Sequence, residues 1–218
     1  MDSTYVVGID VGGQTSKIGV VDARGTVLAQ TVIRTDTYGE IEPYIAELAE
    51  AVKRIIKEAG VEGKVRGIGV GAPNANYYDG TIANAVNLSW GGPKSIPFAK
   101  LLSEAMDGLP VSLTNDANAA AVGEMTYGAA RGMKNFIMIT LGTGVGSGIV
   151  INGEVVYGHD GFAGELGHTA AVHNNGRTCG CGKTGCLETY ASATGVARTA
   201  REWLELSDEP SVLRSLDN

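Results

Sequence analysis

One pattern occurs twice in this chain, and it limits the folds available: an apolar strand, a glycine-rich turn, a second strand, a short turn and a third strand. In the first half, residues 5–10 are apolar up to a terminal acid, Gly12-Gly13 turns the chain, and residues 17–21 and 27–33 supply two more strands around Ala23-Arg24-Gly25. In the second half, residues 136–141 run into Gly142-Thr143-Gly144, then 147–151, Asn152-Gly153 and 154–157, where the Asn-Gly pair is a strong hairpin signal. Two such meanders suggest a duplicated α/β unit that closes on one ligand from two sides. Coincidental hairpins are the competing explanation.

The segments between and after the meanders fit that architecture. Apolar residues at Ile41, Tyr44, Ile45, Leu48, Val52, Ile55 and Ile56 keep helical spacing over residues 41–59, and Gly60 is placed to cap the end. A strand over 66–70, a polar loop over 74–93, a helix over 96–106 and a strand over 110–113 complete a first lobe, 1–115, that contains the first glycine turn. An Ala-rich helix over 117–130 opens a second lobe, 116–218, which ends in an amphipathic helix over 193–206 and an acidic, turn-rich tail.

Glycine makes up 32 of 218 residues, about twice the usual share of roughly 7%. It clusters at the turns, where the missing Cβ lets backbone approach a ligand closely. With a net charge of −7 and 17 scattered Lys and Arg residues, the chain lacks the basic face that nucleic acid requires. The first residues carry no leader pattern and no segment is long enough to span a bilayer, so the expected setting is the cytoplasm, without a membrane partner.

Four segments carry candidate chemistry. In Gly8-Ile-Asp10-Val-Gly12-Gly13-Gln14-Thr15-Ser-Lys17, backbone N–H groups of a turn can cradle phosphate while Asp10 orients hydrated Mg²⁺. The run Leu141-Gly142-Thr143-Gly144-Val-Gly-Ser-Gly148 offers the same donors plus the Thr143 hydroxyl. A hairpin follows it, which disfavours a dinucleotide fingerprint, and two such turns suit one triphosphate. In Thr114-Asn115-Asp116-Ala-Asn118, Asp116 can either cap the helix beginning at Ala117 or act as general base toward an alcohol, with Asn115 fixing neighbouring hydroxyls. Phosphoryl transfer needs in-line positioning and charge neutralisation, so one base and one metal suffice.

The fourth segment is Glu165-Leu-Gly-His168 followed by Cys179-Gly-Cys181-Gly-Lys-Thr-Gly-Cys186-Leu-Glu188. His168, Cys179, Cys181 and Cys186 make a closed tetrahedral set for structural Zn²⁺, with no position left for a catalytic water. Unrelated core cysteines are the alternative. Glu165 and Glu188 flank the histidine with acceptors suited to sugar hydroxyls.

Taken together and in this order, the four segments resemble the ROK family (repressor, open reading frame, kinase) of sugar kinases, and within it the bacterial glucokinases. The resemblance runs through the whole chain and is most specific at Glu165-x-Gly-His168, at Cys-x-Cys-Gly-x-x-Gly-Cys-x-Glu188 and at Leu-Thr-Asn-Asp116-Ala-Asn. It implies the duplicated actin-like ATPase or ribonuclease-H-like fold, ATP as phosphoryl donor, and Asp116 as base for the 6-hydroxyl of a hexose, glucose first. Asn115, Glu165, His168 and Glu188 would hold ring hydroxyls, with the turn ending at Asn74 and with Asn87 lining the same pocket. It also implies a homodimer, as family members often form.

Two departures stand out. Gln14 occupies the place where the family usually carries Thr in the first phosphate turn, and the family pattern continues past Asn218, so the second lobe and the adenine site are expected to be incomplete. N-acetylglucosamine, N-acetylmannosamine and fructose are alternative acceptors. A sugar-sensing repressor is disfavoured because the first strand begins at Tyr5, and a sugar-binding fragment without turnover is the third reading.

Overall fold

The computed structural model describes residues 4–215, which divide into two compact units: the residues through Met138 with Gly148–Ala163, and Ile139–Ser147 with the residues from Gly164 on. The first unit is built on a five-stranded sheet in the order β3-β2-β1-β4-β7. Strands β1 (Tyr5–Val11), β2 (Thr15–Asp22) and β3 (Val27–Arg34) form the antiparallel meander expected from the sequence. β4 (Val65–Ala72) then joins β1 in parallel, and β7 (Val111–Asn115) joins β4 in parallel. Parallel neighbours need a long crossover, and α1 (Ile41–Glu58) and α2 (Phe98–Ala105) lie in the two connections.

Alternation explains which face these helices cover. Val7, Ile9 and Val11 of β1 and Ile18 and Val20 of β2 are buried, as are Tyr44, Leu48, Val52 and Ile55 of α1 and Phe98 and Leu102 of α2, all in one cluster. α1 stops where the sequence suggests: Gly60 has φ 66°, and the Val61 N–H donates to the Ile56 carbonyl at 3.2 Å, closing a Schellman turn. The stretch 74–93 differs from the expected polar loop. It contains β5 (Ile82–Ala85) and β6 (Gly92–Ile96), paired antiparallel, and so Ile96 ends a strand and α2 begins at Phe98. Burial of Ile82, Ala85, Leu88 and Trp90 anchors this excursion to the core.

The second meander also forms, as β8 (Phe136–Leu141), β9 (Val145–Ile151) and β10 (Glu154–Val155), in the order β10-β9-β8. Asn152 and Gly153 take φ 55° and 83°, as a tight hairpin turn demands. β10 is shorter than the expected 154–157, and Tyr157 instead stacks on Tyr77 with ring centroids 4.1 Å apart and planes 3° apart. The preceding helix, α3 (Asp116–Tyr127), stops three residues before the expected 130. The second unit contains α4 (Glu188–Ala191) and α5 (Ala193–Leu206), the latter with the bounds read from the sequence. Among the described residues, no helix is long and apolar enough to cross a membrane.

One polar cluster lies inside the first unit's core. The Tyr44 hydroxyl and Ser16 Oγ are 2.6 Å apart, Ser16 Oγ and Thr35 Oγ1 are 2.7 Å apart, and the Tyr44 ring stacks on Trp90 at 4.9 Å. Burial pushes the Tyr44 hydroxyl up to about 12. Replacing Tyr44 with Phe should therefore cost about 1–2 kcal/mol, read as a lower urea midpoint at unchanged m-value. An unchanged midpoint would mean that the hydroxyl contributes nothing net.

Candidate functional site

The parallel strands bring a set of candidate residues to one end of the first unit's sheet. Asp10 pairs with Gly71, Gly71 with Thr114, and Ala72 with Asn115, so the ends of β1, β4 and β7 are level. α3 starts directly from the last of these, and Asp116 is its first residue. A Cβ on Gly71 would lie 3.2 Å from the Ala119 Cβ and 3.5 Å from the Asp116 Cα, so glycine there lets the first turn of α3 sit against β4. Asp116 remains exposed, but protein crowds its carboxyl enough for desolvation to hold its pKa above the ordinary value, with the nearby Asp10 charge adding to the rise and the Ala117 N–H opposing it.

The expected helix-capping role of Asp116 needs correcting. The N-cap is Asn115, with extended backbone and Oδ1 accepting from the Ala117 N–H at 2.9 Å, while Asp116 Oδ1 shares that donor at 2.8 Å from inside the helix. Capping occupies the amide oxygen of Asn115, so what that side chain can offer a ligand is the donor NH₂ group.

In the first glycine turn, the Gly12 N–H donates to the Thr15 carbonyl at 3.0 Å, and the Gln14 carbonyl accepts from the Thr35 N–H at 2.9 Å. A Cβ on Gly13 would stand 2.8 Å from the Asn87 carbonyl oxygen, which puts Asn87 directly against this turn. Asn74 has φ 54° and donates from Nδ2 to the Asn84 carbonyl at 2.9 Å. Lys17, opposite Asp10 on β2, lines with it an open trough of about 970 Å³ that also touches Thr114, Tyr77 and Tyr157.

In the second unit, Glu188 joins the second glycine turn to the cysteine segment. Its Oε2 accepts from the Val145 N–H at 3.0 Å and would be 2.5 Å from a Cβ on Gly144, while its Oε1 lies 3.9 Å from Cys179 Sγ. Glycine at 144 makes room for that carboxylate. The turn is further tied to the start of α5: the Gly142 carbonyl accepts from the Ala193 N–H at 2.9 Å, and the Thr143 carbonyl from Thr194 Oγ1 at 3.2 Å.

His168, Cys179, Cys181 and Cys186 come together with all their potential ligand atoms within 4.8 Å of one another. His168 Nδ1 is 3.6 Å from Cys179 Sγ, and Cys181 and Cys186 Sγ are 3.7 Å apart. Thiolates bound to Zn²⁺ at about 2.3 Å in a tetrahedron stand roughly 3.8 Å apart, so the donor set has the size and chemistry such an ion takes. Burial and the neighbouring sulfurs push the Cys186 thiol up to about 11, whereas the Lys183 N–H holds Cys181 below its ordinary range. The second ring nitrogen of His168, Nε2, lies 4.0 Å from Glu165 Oε2.

Two features escaped sequence reasoning. The Tyr77–Tyr157 stack joins residues eighty apart, and nothing in either local sequence marks it. Arg177 is nearly buried, its side chain 9% exposed, and two of its four guanidinium partners are backbone carbonyls, which leave no trace in sequence. An arginine two residues before the first cysteine was the available signal.

A family model described as ROK family matches residues 6–218. The chain is 44% identical over 204 residues to a glucokinase of Halalkalibacterium halodurans, covering 93% of this chain and 61% of that relative. It is 33% identical over 202 residues to the xylose repressor of Bacillus subtilis, covering 89% and 50%. Among solved structures it is similar to a ROK family glucokinase from Streptomyces griseus in complex with glucose and AMPPNP, at 34% identity and a TM-score of 0.76, covering 93% of this chain and 62% of that one. The chain thus spans about 60% of the length of the glucokinases it matches. With its repeated meanders, its parallel β1-β4-β7 core and this match along nearly all its length, the chain belongs to the ROK family and carries part of that family's actin-like α/β fold.

Proposed function

We propose that this chain carries the phosphoryl-acceptor machinery of an ATP-dependent hexose kinase, with glucose as the first candidate sugar and Asp116 as the general base for its 6-hydroxyl. The observation that carries the reading is the position of Asp116: first residue of α3, two residues past Thr114, which is level with Asp10 at the strand ends, with its pKa raised by desolvation. A base with a raised pKa accepts a proton more readily from an alcohol as phosphoryl transfer proceeds. In-line transfer asks little more of the protein than positioning and neutralised charge.

In the first unit, Asp10 is assigned to hydrated Mg²⁺, the turn Gly12, Gly13, Gln14, Thr15 with Lys17 to phosphate, and Asn74, Asn87 and Asn115 to sugar hydroxyls. In the second unit, Gly142, Thr143 and Gly144 are assigned to phosphate, and Glu165, His168 and Glu188 to sugar hydroxyls. Zn²⁺ would be held by His168, Cys179, Cys181 and Cys186, where it supplies structural stability and no open coordination position. Similarity to a glucokinase at 44% identity and to a solved glucokinase in complex with glucose and AMPPNP supports the substrate pair.

A second reading is that the chain binds sugar without turning it over. It is favoured by the likeness to a xylose repressor. Calorimetry with glucose alongside a coupled assay for ADP separates the two: binding without sugar-dependent ADP selects the second reading.

Asp116→Asn is expected to lower kcat about 100- to 10,000-fold while glucose binding stays measurable. Undiminished turnover would exclude Asp116 as base. Because the carboxylate must be unprotonated to act and its pKa is raised, activity should climb with pH along an acid limb lying above 3.8, the ordinary aspartate value. A limb at or below that value would contradict the desolvated environment. Removing zinc with a chelator should lower the melting temperature by at least about 5 °C, equivalent to ~2 kcal/mol for a chain of this size. Identical melting of the metal-free and zinc-loaded forms would exclude a structural centre.

A further inference from the structure

The strongest polar construction in the second unit lies outside the residues assigned above. Arg177 sits two positions before Cys179, and its guanidinium reaches four partners. Nη1 donates to the carbonyls of Thr189 at 2.7 Å and Gly195 at 3.1 Å, and Nη2 to Thr199 Oγ1 at 2.8 Å and Glu202 Oε2 at 2.5 Å. The guanidinium carbon also lies 4.6 Å from the centroid of the Tyr190 ring, close enough for a cation–π contact. Arg198 Nε donates to the other oxygen of Glu202 at 2.7 Å, so that carboxylate is held by two arginines and its pKa is lowered.

The backbone of Arg177 is tied in as well. Its N–H donates to the Tyr190 hydroxyl at 2.9 Å, and its carbonyl accepts from the Gly185 N–H at 2.8 Å. Gly185 precedes Cys186, Thr189 follows Glu188, and Gly195 lies in the first turn of α5. One residue therefore fixes three things together: both arms of the cysteine loop, the turn that carries Glu188, and the joint between α4 and α5. A planar fork with several fixed donors can do this, and the point charge of a lysine cannot reproduce it.

We infer that Arg177 is a positioning residue for the Cys₃His centre and for Glu188: it holds the cysteine loop at the spacing a tetrahedral ion requires and the Glu188 carboxylate against the second glycine turn. This rests on the metal reading proposed above. Partners that orient ligands without touching the metal typically change its affinity by about 10- to 100-fold when removed.

The test uses the 218-residue chain with Co²⁺ as a spectroscopic probe of the site, titrated against a competing chelator. Wild type should bind one equivalent and show the intense visible bands of tetrahedral thiolate coordination. Arg177→Met should weaken Co²⁺ binding by about tenfold or more and alter those bands, with Arg177→Lys falling between it and wild type. Ser192→Ala serves as the control, because it removes the α5 cap bond from the Gly195 N–H to Ser192 Oγ, 3.1 Å long, without touching Arg177. It should lower the melting temperature yet leave Co²⁺ affinity within about twofold. If wild type binds no Co²⁺, the metal reading fails and the inference with it. Should wild type bind while both Arg177 variants match it in affinity and spectrum, the inference alone is overturned. It is overturned equally if Ser192→Ala weakens binding as much as Arg177→Met, since the effect would then be general loosening. Should Arg177→Met not fold, Arg177→Lys carries the comparison, and wild-type affinity in that variant refutes the positioning role.

Discussion

The parallel pairing of β1 with β4 and of β4 with β7 is the constraint on which the first unit's chemistry depends. Hydrogen bonding in register fixes where each strand ends, and here it sets Asp10, Gly71 and Thr114 side by side. α3 leaves directly from the last strand, so the position of its first carboxylate is inherited from the sheet and not from a flexible loop. Open α/β sheets bind ligands at the carboxyl ends of their strands, and this end of the sheet has the arrangement that rule describes. The opposite requirement, a filled core under the sheet, is met by α1 and α2, whose apolar stripes cover the inner residues of β1 and β2.

The two units are held together by different physics. Nearly all the large buried apolar side chains belong to the first unit. Among the described residues of the second, the buried apolar set is Val145, Cys179 and Cys186, while Val196, Trp203 and Leu206 of α5 are exposed. Polar devices are concentrated there: the Arg177 fork, the Glu188 carboxylate on the Val145 N–H, and the Cys₃His set. Glu188 is the most economical of these, with one oxygen on the glycine turn and the other facing Cys179.

Legibility in the sequence followed from how local each signal was. The meanders, α1 and α5 were readable because period-two and period-3.6 patterns ran uninterrupted into glycine turns or caps, and the clustering of His168 with the three cysteines because their spacing is short and their residue types few. β5 and β6 were not readable. They bury single residues such as Ile82 and Ile96, and left-handed Asn84 and Gly92 interrupt the strands, so no period survives. The cap of α3 was misread by one position because Asn115 and Asp116 can both accept from the same N–H, and only backbone geometry distinguishes them. Arg177 stayed invisible because two of its acceptors are carbonyls that any sequence would supply and the other two, Thr199 and Glu202, lie 22 and 25 residues further along the chain.

The four potential metal ligands all fall within residues 168–186. The entropy cost of closing a loop grows with its length, so a stretch this short costs somewhat less to close than one joining distant strands. A metal ion joining these four side chains would organise its own neighbourhood without waiting for distant strands to find their register. The centre would then be a local one, complete within the stretch through Cys186, with Glu188 two residues beyond it.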